Sequence, residues 1–108
     1  MADYIEFYLP VNVPYYEGYK VLDGYNYRIS VKWNSIIKNW YLNISSISDP
    51  TLKINGIAML PGRDLLRPYG YGHLLGAMWI EDTAESGDNP TYEGMGDRWR
   101  LRYYPRGT

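Results

Sequence analysis

Cysteine is absent from this chain, and histidine and phenylalanine occur once each. Without cysteine there is no disulfide, no Cys-based zinc site and no iron–sulfur cluster, and the absence fits a reducing compartment. The lone histidine, His73, has no cysteine to pair with. Ser35, Ser45, Ser46, Ser48 and Ser86 stand in no nucleophile-elbow pattern. His73 therefore reads as a polar residue at a strand start, and neither an enzyme nor a cofactor is expected. Glu81, Asp82, Glu85 and Asp88 lie close together, but the Asp-x-Asp-x-Asp-Gly spacing of a calcium loop is missing. No metal site is expected, and neither of the glycine-rich phosphate-binding patterns occurs.

A large charge of one sign is also lacking. The formal net charge is −1, which argues against a protein whose main task is to grip nucleic acid through its phosphates. No apolar run nears the roughly 20 residues of a membrane span, so no membrane partner is expected. The opening "MADYIEFYLP" carries acids early and no basic segment, unlike a signal peptide. The expected location is the cytoplasm, or a particle assembled there. Asn43-Ile44-Ser45 has the form of a glycosylation sequon, but without a secretory signal it reads as strand.

What the chain does have is apolar content and wet-tipped aromatics. Its 108 residues are 45% apolar, enough for one domain over residues 1–108 with a buried core. Thirteen tyrosines and four tryptophans suit half-buried sheet surfaces and the centres of interfaces.

The apolar period is two. In "YNYRISVKW", Tyr25, Tyr27, Ile29, Val31 and Trp33 share one face against Asn26, Arg28, Ser30 and Lys32. "WYLNIS" sets Trp40, Leu42 and Ile44 against Tyr41, Asn43 and Ser45, and "RWRLRYY" sets Trp99, Leu101 and Tyr103 against Arg98, Arg100 and Arg102. Each reads as a half-buried strand. Trp33, Trp40 and Trp99 are thereby core candidates, which counts against a sugar-stacking module. Asp23-Gly24 supplies the positive φ of a two-residue hairpin turn. Asn34 to Asn39 closes a second hairpin, and Asp49-Pro50 turns into "TLKINGIAML". There the apolar phase slips across Gly56, from Leu52 and Ile54 to Ile57 and Met59, which predicts a bulge.

Pro61-Gly62 ends that strand. Asp64 is placed to cap one short helical turn near 64–67, stopped by Pro68, with Leu65 and Leu66 plugging one end of the sheet. "HLLGAMWIED" reads as a further strand, apolar on both faces and so central, and residues 83–97 as the longest loop, acidic throughout. Ile5, Phe7 and Leu9 alternate before Pro10 and Pro14. Tyr8, Tyr15, Tyr16 and Tyr19 are set around those prolines and suggest a partner-binding arm or edge strand over 1–19. Removing residues 1–16 is then expected to leave a folded domain. The sum is an all-β domain, a small antiparallel barrel or sandwich of six to eight strands with one short helical turn.

The row Arg98, Arg100, Arg102 sets guanidinium groups about 6–7 Å apart along one strand face. Three readings stand: a contact with a neighbouring subunit, a solvated face, or a nucleic-acid-binding module with exposed tyrosines such as Tyr69, Tyr71 or Tyr92 stacking on bases. The first of these takes the row to meet acidic residues, of a neighbouring subunit or of the 81–97 loop.

The ordered stretches "LDGYNYRISVKWN", "WYLNIS", "INGIAMLPGRDLL", "GAMWIED" and "GMGDRWRLRYYP" resemble the small baseplate plug family of contractile-tailed phages, as found in cyanophage baseplates. The run from Gly56 through Gly62 and Asp64 to Leu65-Leu66 carries most of the likeness. The resemblance implies a structural virion protein in the hub region of the baseplate, where tail tube, hub and spike meet, built into a symmetric oligomeric assembly in the host cytoplasm. The implied partners are the hub, the spike and the tail tube initiator. It implies no catalytic residue and no cofactor. In that light Gly62 and Asp64 shape a corner that Leu65 and Leu66 seal.

Overall fold

The computed structural model describes residues 4–7, 9–11, 13–49, 51–69, 75–85 and 88–105. The chain is all-β, seven strands in two antiparallel sheets packed face to face. The smaller sheet has the order β1-β7-β6, from β1 (Ile5–Phe7), β7 (Trp99–Tyr104) and β6 (Ala77–Asp82). The larger runs β2-β3-β4-β5, from β2 (Tyr15–Leu22), β3 (Tyr25–Asn34), β4 (Asn39–Ser46) and β5 (Lys53–Ala58). Neither sheet closes on itself, so of the two expected architectures the sandwich is the one formed.

The inward faces follow the alternation. Tyr27, Ile29 and Val31 of β3, Trp40, Leu42 and Ile44 of β4, and Ile54 and Ile57 of β5 are buried. They face Phe7 of β1, Met78 and Ile80 of β6, and Trp99, Leu101 and Tyr103 of β7 in one core. Trp33 is half-buried at the core's edge, its ring 5.3 Å from Trp40 and 5.6 Å from Tyr92. Trp40 and Tyr92 stack at 5.9 Å.

The turns obey their residues. Asp23 and Gly24 both take positive φ (49° and 86°), the backbone that a two-residue turn needs to match the strand twist. Between β3 and β4, the Asn34 side chain accepts hydrogen bonds from the amides of Ile36 and Ile37, both at 3.0 Å. Lys38 closes that loop at φ 61°. The bulge lies where the phase slip put it. Leu42 pairs with Ile57 and Ile44 with Ile54, so Asn43 faces two residues. Gly56 takes φ 72° and donates its amide to the Asn43 side chain at 2.7 Å. Leu52, Ile54, Ile57 and Met59 are all buried as a result.

Three expectations need correcting. The short helical turn forms, as a 3-10 turn at Arg67–Tyr69, but Pro68 lies inside it rather than stopping it. Asp64 caps the stretch before it: its carboxylate accepts from the amides of both Leu66 and Met78, each at 3.0 Å. Leu65 and Leu66 are buried as expected, and Gly62 turns the corner at φ 86°. Second, β6 is an edge strand, and β7 is central; Trp79 is only half-buried. The apolar outer face of β6 reflects that ring, not a second covering layer. Third, the described residues 4–7 and Leu9 are packed into the domain, with β1 as an edge strand of the smaller sheet, so this segment is not dispensable. β1 pairs with β7 in the register Phe7 opposite Leu101, and Phe7 and Leu9 enter the core. Cutting away residues 1–16 removes those contacts, so the truncated chain is expected to be destabilised. His73, Tyr71 and Tyr8 lie outside the described residues.

Candidate functional site

With one core between the two sheets, each sheet keeps one outward face, and the two are unlike. On the smaller sheet the outward residues are Glu6 of β1, Arg100, Arg102 and Tyr104 of β7, and Trp79 and Glu81 of β6. Arg100 donates to Glu6 at 3.1 Å. Arg102 bridges Glu6 at 3.0 Å and Glu81 at 3.1 Å. Arg98, just before β7, makes a two-pronged pair with Asp82 at 2.8 and 2.9 Å, and its charge also lies 3.7 Å from Asp88. The Glu6 side chain is only 13% exposed and that of Asp82 only 3%.

Electrostatics follow the geometry. The Asp82 hydrogen bond outweighs partial burial and holds Arg98 more firmly protonated than usual. For Arg102, burial opposes the charge, but the bonds to Glu6 and Glu81 win. The Arg102 guanidinium also lies over the Tyr4 ring at 4.6 Å and Arg98 over Trp99 at 4.3 Å, both favourable to a cation. Tyr104, raised by burial and by donating to Glu81, is pushed up to about 12.

Across the core, Tyr103 joins the sheets. Its hydroxyl donates to Asp23 in the β2–β3 turn and accepts the Gly76 amide at 2.6 Å. Burial first, then the Asp23 hydrogen bond, raise its pKa far above the ordinary tyrosine value.

The larger sheet's outward face is built otherwise. Tyr15, Glu17, Tyr19 and Val21 of β2 stand opposite Lys32, Ser30, Arg28 and Asn26 of β3. Arg28 pairs with Glu17, whose carboxyl sits below its ordinary range through that bond and one from Tyr15. Lys32 and Lys53 have no ion-pair partner among the described residues. They border two shallow open grooves, of about 440 and 370 Å³.

Of the sequence-predicted interface residues, Tyr15 and Tyr19 are together and exposed on β2 (46% and 63%), while Tyr16 points inward and packs against the core. Arg98, Arg100 and Arg102 lie on the other sheet, engaged by carboxylates. Gly56, Asp64 and Leu65 line a small surface hollow at the β5 corner, Leu65 and Leu66 are buried in the core, and Gly62 stands exposed at the turn.

Sequence reasoning missed Glu6 as the anchor of the arginine row. It also missed Ile36 and Ile37, exposed at the β3–β4 tip (91% and 61%); two isoleucines in a loop between asparagines were a usable signal. Gly96 was a third omission. At φ 88° any Cβ there would come within 2.5 Å of the Leu9 carbonyl, so the loop before β7 packs directly on Leu9 at Gly96. That loop is also pinned by Trp99 and Trp40, whose indole N–H groups donate to the carbonyls of Asp88 (3.0 Å) and Thr91 (2.9 Å). Among the described residues no three acidic or histidine side chains are placed to hold a metal ion, and no helix is long and apolar enough to cross a membrane.

A family model described as cyanophage baseplate Pam3 plug gp18 matches residues 4–106. No curated protein matches the chain.

Proposed function

The chain belongs to the cyanophage baseplate plug family, and on that premise we propose that it is a structural virion protein of a contractile tail baseplate. It sits at the junction of tail tube, hub and spike and works by being held among other baseplate proteins in a symmetric assembly, put together in the host cytoplasm. The match over residues 4–106, nearly the whole chain, carries this reading.

The physical properties of the domain support it. A part that bears load between neighbours needs a stiff body, and here both sheets share one core while Glu6, Glu81 and Asp82 brace the arginines of the smaller sheet. It also needs surfaces to be held by. Strand β2 is a sheet edge with Tyr15 and Tyr19 outward, which suits contact with a partner strand or loop. In this proposal Tyr15 and Tyr19 touch a neighbour and Arg98, Arg100 and Arg102 stiffen the domain. No turnover is required, and no residue is assigned a catalytic role. A nucleic-acid module resting on the arginine row is disfavoured, because carboxylates already occupy all three groups.

The test is to remove the coding sequence from the phage and image the particles produced. Tails with missing or incomplete baseplates are expected. Intact tails that infect normally would sink the proposal.

A further inference from the structure

The β3–β4 hairpin ends in two isoleucines that the fold does not use. Ile36 is 91% exposed and Ile37 61%. Polar residues would serve this loop equally well, since only the Asn34 side chain and backbone groups hold it. The Lys38 amide donates to the Asn34 carbonyl at 2.7 Å, so the tip is a fixed shape rather than a floppy loop. Rigid, exposed, branched apolar side chains lose little entropy on contact and make good anchors when a partner encloses them.

The surroundings specify what encloses them. Ile36 borders the open groove of about 440 Å³ that continues onto the outward sheet face past Lys32, Tyr41 and Asn43. Lys32, Lys38 and Lys53 have no ion-pair partner among the described residues, and the nearest outward carboxylate on this sheet, Glu17, is taken by Arg28. The face is thus basic, with an apolar point at one end. Three unpaired ammonium groups are few for a phosphate backbone, and isoleucine offers nothing to phosphate. A protein surface with carboxylates around an apolar hollow satisfies both features.

We propose that the β3–β4 tip and the adjoining face of the larger sheet form a docking surface for a neighbouring baseplate protein. Ile36 and Ile37 fill an apolar socket on that neighbour, and its carboxylates meet Lys32, Lys38 and Lys53. The inference rests on the baseplate reading above and adds to it the place and chemistry of one contact.

The test supplies phage lacking this gene with the wild-type chain, an Ile36→Ser/Ile37→Ser variant, a Lys32→Glu/Lys53→Glu variant and a Lys32→Arg/Lys53→Arg variant. Purified particles are assayed for the chain by mass spectrometry. Circular dichroism and melting of each purified variant come first; all four positions changed are exposed, and the substitutions are expected to leave the fold intact. The serine and glutamate variants are expected to enter particles at least about tenfold less than wild type, and the arginine variant near wild-type level. Wild-type incorporation of both the serine and the glutamate variants overturns the docking surface while leaving the baseplate reading standing. Absence of the wild-type chain from complemented particles overturns both. Salt-sensitive binding of the purified chain to a labelled single-stranded DNA, abolished in the glutamate variant and unchanged in the serine variant, overturns it in favour of nucleic acid.

Discussion

On the smaller sheet, Arg100 and Arg102 point outward and each meets a carboxylate within 3.1 Å. On the larger sheet, Lys32 and Lys53 also point outward and meet none among the described residues. Both faces arise from the same alternation of apolar and polar residues. They differ in what the neighbouring strands supply. β1 and β6 bring Glu6 and Glu81 alongside β7, whereas β2 brings one glutamate to β3, and β4 and β5 bring serine and asparagine. One face has its charges neutralised by its own strands; the other leaves Lys32 and Lys53 without an ion-pair partner among the described residues. A basic row on a strand therefore says little until its lateral neighbours are known.

The strongest challenge to a contrast between two faces of one body is to ask whether the body is one. Leu42 of β4 and Leu101 of β7 are fully buried from opposite sheets. Changing either to Ala is expected to cost about 2–5 kcal/mol and to shift the whole denaturation curve, followed by fluorescence and circular dichroism together. Two separate transitions would mean that the sheets unfold independently.

The contrast itself is broken most directly at Glu6. Glu6→Ala strips the shared carboxylate from Arg100 and Arg102 and is expected to cost about 1–2 kcal/mol, since Arg100 loses its carboxylate and Arg102, which keeps Glu81, loses one of two. Melting should fall by roughly 5–15 °C. Lys53→Ala on the other face should change stability by no more than about 0.5 kcal/mol. Equal losses at the two positions would erase the distinction drawn between the faces.

A smaller effect tests the Tyr103 link between the sheets. Tyr103→Phe leaves Asp23 and the Gly76 amide without their shared partner and is expected to cost about 1 kcal/mol. The pH dependence has a definite sign. Tyr103 and Tyr104 hold their protons more tightly folded than unfolded, with Tyr104 pushed up to about 12. Their contribution is complete below the unfolded value near 10 and is lost as pH rises from there through the folded values. Stability should therefore decline above about pH 10, and less steeply in Tyr103→Phe, as read by denaturation at a series of alkaline pH values. A slope unchanged by the substitution would remove Tyr103 from the account.

Much of this was legible in one dimension because it is decided by near neighbours. The alternation in β3, β4 and β7 gave the buried residues apart from Tyr25, which is exposed, and Trp33, which is half-buried; Asp23-Gly24 gave its hairpin, and the phase slip at Gly56 gave the bulge. What could not be read is what distant segments decide. That the Asp64 carboxylate also accepts the Met78 amide depends on a contact that spans 14 residues. The partner of Arg100 lies 94 residues away. Whether β6 was central or an edge depended on which strands paired, and an apolar strand reads alike in either place.

By itself the sequence determined the period-two strands, the turns and the inward set of side chains, because steric preference and hydrophobic burial act within a few residues. The tertiary structure alone decided which charges are spent inside the fold and which are left outward, and that two isoleucines stand free at a hairpin tip. Exposure and ion pairing depend on what packs alongside, and only the assembled sheets bring those neighbours together.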